Sequence, residues 1–137
     1  MSTLHLQSLK LGLDAVLALG TPKLSFMATG YTPNAGTHSY YSDVSASVAA
    51  GTTVVTLASI TTTLDAANAR VEFDTDNPSL STITATTNKY TIWVDTGSDA
   101  TSPVLATIDI AEGTLSPING NILVTINAEG HFALKAV

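Results

Sequence analysis

Asp74, Asp76 and Asn77 place three oxygen-bearing side chains within four residues, the densest set of hard-cation donors in the chain. Carboxylate and amide oxygens at alternate positions are what calcium takes from a loop. The later glycine and bidentate glutamate of an EF-hand loop are missing, and Asp and Asn also favour turns through bonds to their own backbone. The sequence therefore reads as a turn, with no metal expected. Asp95, Asp99, Asp109 and Glu112 form a second acidic group. A glycosidase needs two carboxylates facing each other across a cleft, and nothing in this spacing builds one. Asp95-Thr96-Gly97 shares the triplet of aspartic proteases, but the flanking apolar residues are absent, and Ser98-Asp99-Ala100 continues as loop. His38, with Ser39 and Asp43 nearby, supplies the residue types of a hydrolase triad without its nucleophile elbow. His5 and His131 stand far away in sequence. Trp93 offers either a core side chain or an aromatic platform for sugar, and its alternation with Tyr90, Ile92 and Val94 favours the core. No catalytic residue and no cofactor is expected.

Composition narrows the partners. The net charge is −6, and the five basic residues Lys10, Lys23, Arg70, Lys89 and Lys135 are scattered. An acidic surface without a basic patch disfavours nucleic acid and anionic membranes. There is no cysteine, which excludes disulfides, thiolate metal sites and thiol nucleophiles. Apolar residues make up 45% and charged residues only 12%, so Ser and Thr carry much of the polar surface. No apolar run is long enough for a transmembrane helix. Leu11–Leu19 has the apolar character of a signal peptide, but Asp14 interrupts it and Lys10 is the first basic residue. Pro78 disables the glycosylation sequon at Asn77.

These side chains must be positioned by elements of two kinds. Residues 1–20 are leucine-rich, and two periods compete in them. Leu9, Leu11 and Leu13 alternate like a strand, whereas Leu6, Leu9, Leu13, Val16 and Leu17 recur at helical spacing. We expect a short helix over Leu9–Leu19, capped by Ser8 and stopped by Gly20 and Pro22. It serves either as an arm docking on a partner or as a cover for this chain's own core. Residues 21–137 read as all-β. Strands are expected at Lys23–Ala28, His38–Val44, Thr53–Leu57, Ile60–Leu64, Ala69–Phe73, Leu80–Ala85, Tyr90–Val94, Val104–Ile110, Ile122–Asn127 and His131–Lys135. Turn residues separate them, as in a sandwich or barrel. Tyr90–Val94 and Val104–Ile110, joined by a loop with Gly97 and Pro103, form a half-buried hairpin.

Three blocks succeed one another in the chain. The first is Ala28-Thr29-Gly30-Tyr31-Thr32-Pro33-Asn34, then Thr37-His38 and Tyr41-Ser42-Asp43-Val44. The second is Val71-Glu72-Phe73-Asp74-Thr75-Asp76-Asn77-Pro78. The third runs from Tyr90 to Gly97 and resumes at Ser102-Pro103-Val104-Leu105-Ala106-Thr107-Ile108-Asp109, with Gly130-His131-Phe132-Ala133-Leu134 closing the chain. In this order they resemble a family of small structural proteins of tailed bacteriophages, some of which are head decoration, or cement, proteins. The resemblance covers most of Ala28 to Leu134 and excludes the leucine-rich start. It implies a jelly-roll-like β-sandwich on the outer face of the virion capsid, made in the host cytoplasm. It further implies a homotrimer bridging subunits of the major capsid protein, with no catalytic residues to carry over. Leu4, Leu6, Leu9, Leu11, Leu13, Tyr40 and Tyr41 are the candidate partner contacts. A tail or adhesion module binding glycans is the alternative.

Overall fold

A computed structural model describes residues 5–135; Leu4, a candidate contact, lies outside them. Helical spacing wins at the N-terminus. Helix α1 spans Leu6–Leu17, one turn earlier than expected, with His5 rather than Ser8 at its N-cap and no side-chain cap. Leu6, Leu9, Leu13 and Leu17 face inward, and Leu13 is buried in the main core. A strand would have put Leu11 on the same side as Leu9 and Leu13. In the helix Leu11 turns to solvent and is 59% exposed. Asp14 ties α1 down, accepting from Lys10 one turn earlier at 2.8 Å and from the Thr62 hydroxyl at 2.6 Å. These two bonds, Lys10 first, hold its carboxyl below the usual carboxylate range.

After α1 the regular structure is mainly antiparallel strand. The strands are β1 (Thr21–Met27), β2 (Val55–Thr56), β3 (Thr61–Asp65), β4 (Arg70–Asp74), β5 (Ser79–Ile83), β6 (Lys89–Asp95), β7 (Val104–Asp109), β8 (Gly120–Leu123) and β9 (Phe132–Lys135). Three sheets form, ordered β2-β1-β6-β7, β3-β4-β9 and β5-β8. The main core draws Leu24, Phe26, Tyr90 and Ile92 from the first sheet, Val71 and Phe73 from the second, and Ile83 and Ile122 beside them. All three sheets thus close on one apolar interior, which α1 covers from the side of β3 and β4. The architecture is β-rich and antiparallel, with few short helices.

One expected strand is a helix. Tyr41–Val44 forms a single helical turn, α2, instead of extending from His38. The Asp43 carboxylate accepts from the backbone N–H groups of Ser39 and Tyr40 at 3.0 and 2.9 Å, which folds the chain back on itself. A carboxylate at this position also suits a helix N-terminus. Beyond β8 the chain stays close to β5 without regular pairing. Val124 N–H donates to the Pro78 carbonyl at 2.9 Å, and Ile126 N–H to the Asn77 side chain at 3.0 Å. Strand β8 therefore ends at Leu123 rather than Asn127.

The two exposures on α1 give a direct test of which leucine holds the fold. Leu13→Ala is expected to cost about 2–4 kcal/mol, as a large-to-small change in a core. Leu11→Ser, on the solvent side, is expected to stay within about 0.5 kcal/mol. Urea denaturation followed by circular dichroism separates the two.

Candidate functional site

The acidic groups singled out in the sequence are dispersed by the fold. Asp76 accepts from the Ser59 hydroxyl at 2.7 Å, and Asp74 accepts from the Thr75 backbone at 2.8 Å. Asp95 pairs with Lys23 at 2.8 Å and accepts from Gly97 N–H at 2.9 Å, the bond of an Asx turn. The Lys23 bond, seconded by Gly97, lowers its pKa. Among the described residues, no three histidine or carboxylate groups converge as metal ligands. His38 and Asp43 do not meet in a triad. His38 Nδ1 takes a bond from Asn34 N–H at 3.1 Å and lies 3.1 Å from the Tyr31 hydroxyl, while Asp43 caps α2.

Trp93 is buried. Its ring stacks on Tyr41 with centroids 3.7 Å apart, and its Nε1–H donates to the Ser25 hydroxyl at 3.0 Å. Together with Met27, Tyr31 and Val44 these residues make a second, smaller core. The sugar platform considered from sequence is therefore inside the molecule. The candidate partner contacts divide likewise. Tyr41 and Leu13 are buried within this chain and present no free surface, which corrects the expectation for both. Leu6 and Leu9 are half-buried against the main core. Among the described candidate contacts, Leu11 and Tyr40, 59% and 46% exposed, are the ones open to a partner.

Sequence reasoning leaves His131 as an isolated residue. The fold brings it between Thr75, 56 positions away, and Tyr90, 41 positions away. Its Nε2 lies 2.8 Å from the Thr75 hydroxyl and its Nδ1 lies 3.0 Å from the Tyr90 hydroxyl. Thr75 gives its only hydroxyl proton to the Asp76 carbonyl at 2.8 Å. It must then accept from His131, which fixes the proton on Nε2 and leaves Nδ1 to accept from Tyr90. One directed chain results: Tyr90 to His131 to Thr75 to the Asp76 backbone. Burial pushes the His131 pKa down to about 4 against a weaker opposing pull from Asp74, and raises Tyr90 to about 12. Both members stay neutral across the physiological range. The Gly130-His131 pair is the available signal, since a turn glycine delivers the ring inward.

The same two side chains end a groove of about 500 Å³. One wall is the end of β7 and the residues after it, Ile108 to Glu112; the other is Asn121 to Asn127. Leu115 and Ile122 join Ile108 and Ile110 in giving it an apolar interior, and Asp109 and Glu112 are exposed along its rim. Among the described residues, no lysine or arginine lines it. Its size lies within the range of ligand sites.

No family model, no curated protein and no solved structure matches the chain.

Proposed function

We propose that this chain is a head decoration protein of a tailed bacteriophage. In this reading a jelly-roll-like sandwich binds the outer face of the capsid as a homo-oligomer and stabilises the shell by bridging major capsid protein subunits. The observation that carries the reading is the order of the three sequence blocks. They supply the framework of the domain: the end of β1 with the loop to α2, then β4 with its following turn, then β6 and β7. The closing block supplies β9. A surface of hydroxyls with 12% charged residues suits a protein that buries much of its exterior against neighbours. Many weak contacts hold such a protein firmly once several copies engage together. Leu11 and Tyr40 are the residues assigned to shell contacts, because both are large, partly apolar and exposed.

The test is purification of the tagged chain from its native source. A major capsid protein at near-stoichiometric ratio is the expected companion. Its absence, with the chain recovered folded, rejects the reading. Leu11→Asp and Tyr40→Ala are expected to lower shell occupancy by about tenfold or more when combined, with the thermal midpoint unchanged within about 2 °C. Unchanged occupancy removes these two residues from the contact.

A further inference from the structure

We infer that the free edge of β7, with the groove beside it, binds an extended peptide segment of a partner protein by strand addition. Hydrogen-bond parity shows which backbone groups are open. Ile110 N–H donates to the Asn88 carbonyl at 2.9 Å, so the pair Asn88 and Ile110 is a bonded pair of the β6–β7 ladder. Bonded and non-bonded pairs alternate in antiparallel sheets. Tyr90 with Ile108 and Ile92 with Ala106 are therefore bonded, and Thr91 with Thr107 is not. The 2.8 Å approach of the Thr91 and Thr107 hydroxyls fits the closer side chains of a non-bonded pair. Thr107 and Asp109 consequently aim their backbone N–H and C=O groups away from β6. Neither N–H meets another acceptor among the described residues.

The rest of this sheet's rim is protected, and this stretch is not. The far edge, β2, is two residues long. The start of β7 is covered, because Tyr40 bridges Pro103, Val104 N–H donates to the Ser39 carbonyl, and the register shifts between Ile92 and Trp93. Short edges, covering segments and bulges all keep sheet edges from pairing. Beyond the shift, Ala106 to Ile108 carries no charge and no proline. The Tyr31–His38 loop shares a gap of about 220 Å³ with Ala106 and Thr107 but makes no backbone bond to them among the described residues.

The walls set the occupant's chemistry. A strand paired to Thr107 and Asp109 sends alternate side chains toward the groove. Ile108, Ile110, Leu115 and Ile122 there call for apolar residues at every second position. Asp109 and Glu112 on the rim, with no lysine or arginine among the described lining residues, call for a lysine or arginine at the end of the segment. Main-chain bonds then supply affinity and the groove supplies selectivity, as in other strand-addition sites. Strand addition here is independent of the capsid reading and needs no virion to be tested.

The probe is a labelled, acetylated hexapeptide of alternating valine and threonine ending in lysine. Its affinity is read by fluorescence anisotropy, and amide protection at Thr107 and Asp109 by hydrogen exchange. Saturable binding with protection of both amides is expected. A peptide N-methylated at one strand-facing nitrogen should bind about tenfold more weakly, having lost a backbone bond and gained a clash. Replacing its lysine by glutamate should weaken binding about threefold or more at low salt. Asp109→Pro in the chain removes an N–H that β6 does not use, and should weaken binding about tenfold with the fold kept. Should that variant unfold, the N-methylated peptide carries the same test. Absence of saturable binding up to about 1 mM, equal binding of the N-methylated peptide, or protection confined to other strands overturns the inference.

Discussion

Acidification from pH 7 to pH 4 is expected to remove about 3 kcal/mol of stability through His131 alone. Burial gives the effect its sign. In the unfolded chain the imidazole titrates near pH 6.5, whereas in the folded chain burial lowers it to about 4. Between those values the unfolded state binds the proton and the folded state does not. Stability is therefore fully present above about pH 6.5, falls as pH drops through the window, and reaches its full loss below about pH 4. A gap of roughly two and a half pKa units at about 1.4 kcal/mol each sets the size. The lowered carboxyls Asp14, Asp65 and Asp95 act elsewhere on the pH axis. Their contribution is present above the ordinary carboxylate value of 3.8 and is lost only below it. The measurement is urea denaturation at half-unit steps of pH. His131→Leu should lose about 1–3 kcal/mol at pH 7 by leaving Tyr90 and Thr75 without their partner. Its stability should then stay nearly flat down to pH 4. An equally steep decline in that variant would assign the acid sensitivity to another group.

Gly130→Ala is expected to cost about 3 kcal/mol or more, and Gly113→Ala only about 1 kcal/mol. Both glycines have φ near +80°, at 82° and 84°, so a side chain is strained at either. Their surroundings differ. A Cβ at Gly113 meets nothing within 4 Å, whereas at Gly130 it would run into the backbone carbonyl of Phe73. That carbonyl is the acceptor for His131 N–H at 2.8 Å, the bond that aligns the start of β9 with β4. The substitution therefore strains the turn, pushes β9 off β4 and withdraws His131 from Tyr90. Thermal unfolding of the two variants side by side makes the comparison, with Gly113→Ala as the measure of backbone strain alone. Equal losses would show that the Phe73 carbonyl yields freely.

Much of this fold is local enough to read from the chain. The β6–β7 hairpin is legible from its two short apolar runs and the turn residues between them, although Tyr90–Val94 are all buried where a half-buried hairpin would bury alternate residues. The inward face of α1 is legible because four leucines recur at spacings of three and four. The failure at Tyr41–Val44 has a local cause too. The β-branched and aromatic content of that stretch suggests a strand, but Asp43 satisfies two backbone donors and closes a turn first. The candidate site is hidden for another reason. His131, Thr75 and Tyr90 meet only after β4, β6 and β9 have docked, and the β7–β8 groove exists only between segments that no local period relates. Burial of Trp93 is legible in the unbroken apolar run Ile92-Trp93-Val94 that carries it, although period 2 sets its ring on the face opposite Tyr90 and Ile92. Its stack with Tyr41 is not, because the helical turn that swings Tyr41 inward has the composition of an extended segment.

The Tyr41–Trp93 stack gives the molecule a built-in optical reporter. Trp93 is the only tryptophan in the sequence, so indole emission comes from the smaller core and from nowhere else. Loosening of α2 from β6 would change that emission while the ellipticity of the sheets stayed intact. Protonation of His131 acts in the main core instead, on residues invisible at indole wavelengths. Emission and ellipticity recorded on one sample thus track the two halves of the interior separately, and their coincidence during unfolding measures how tightly β6 couples them.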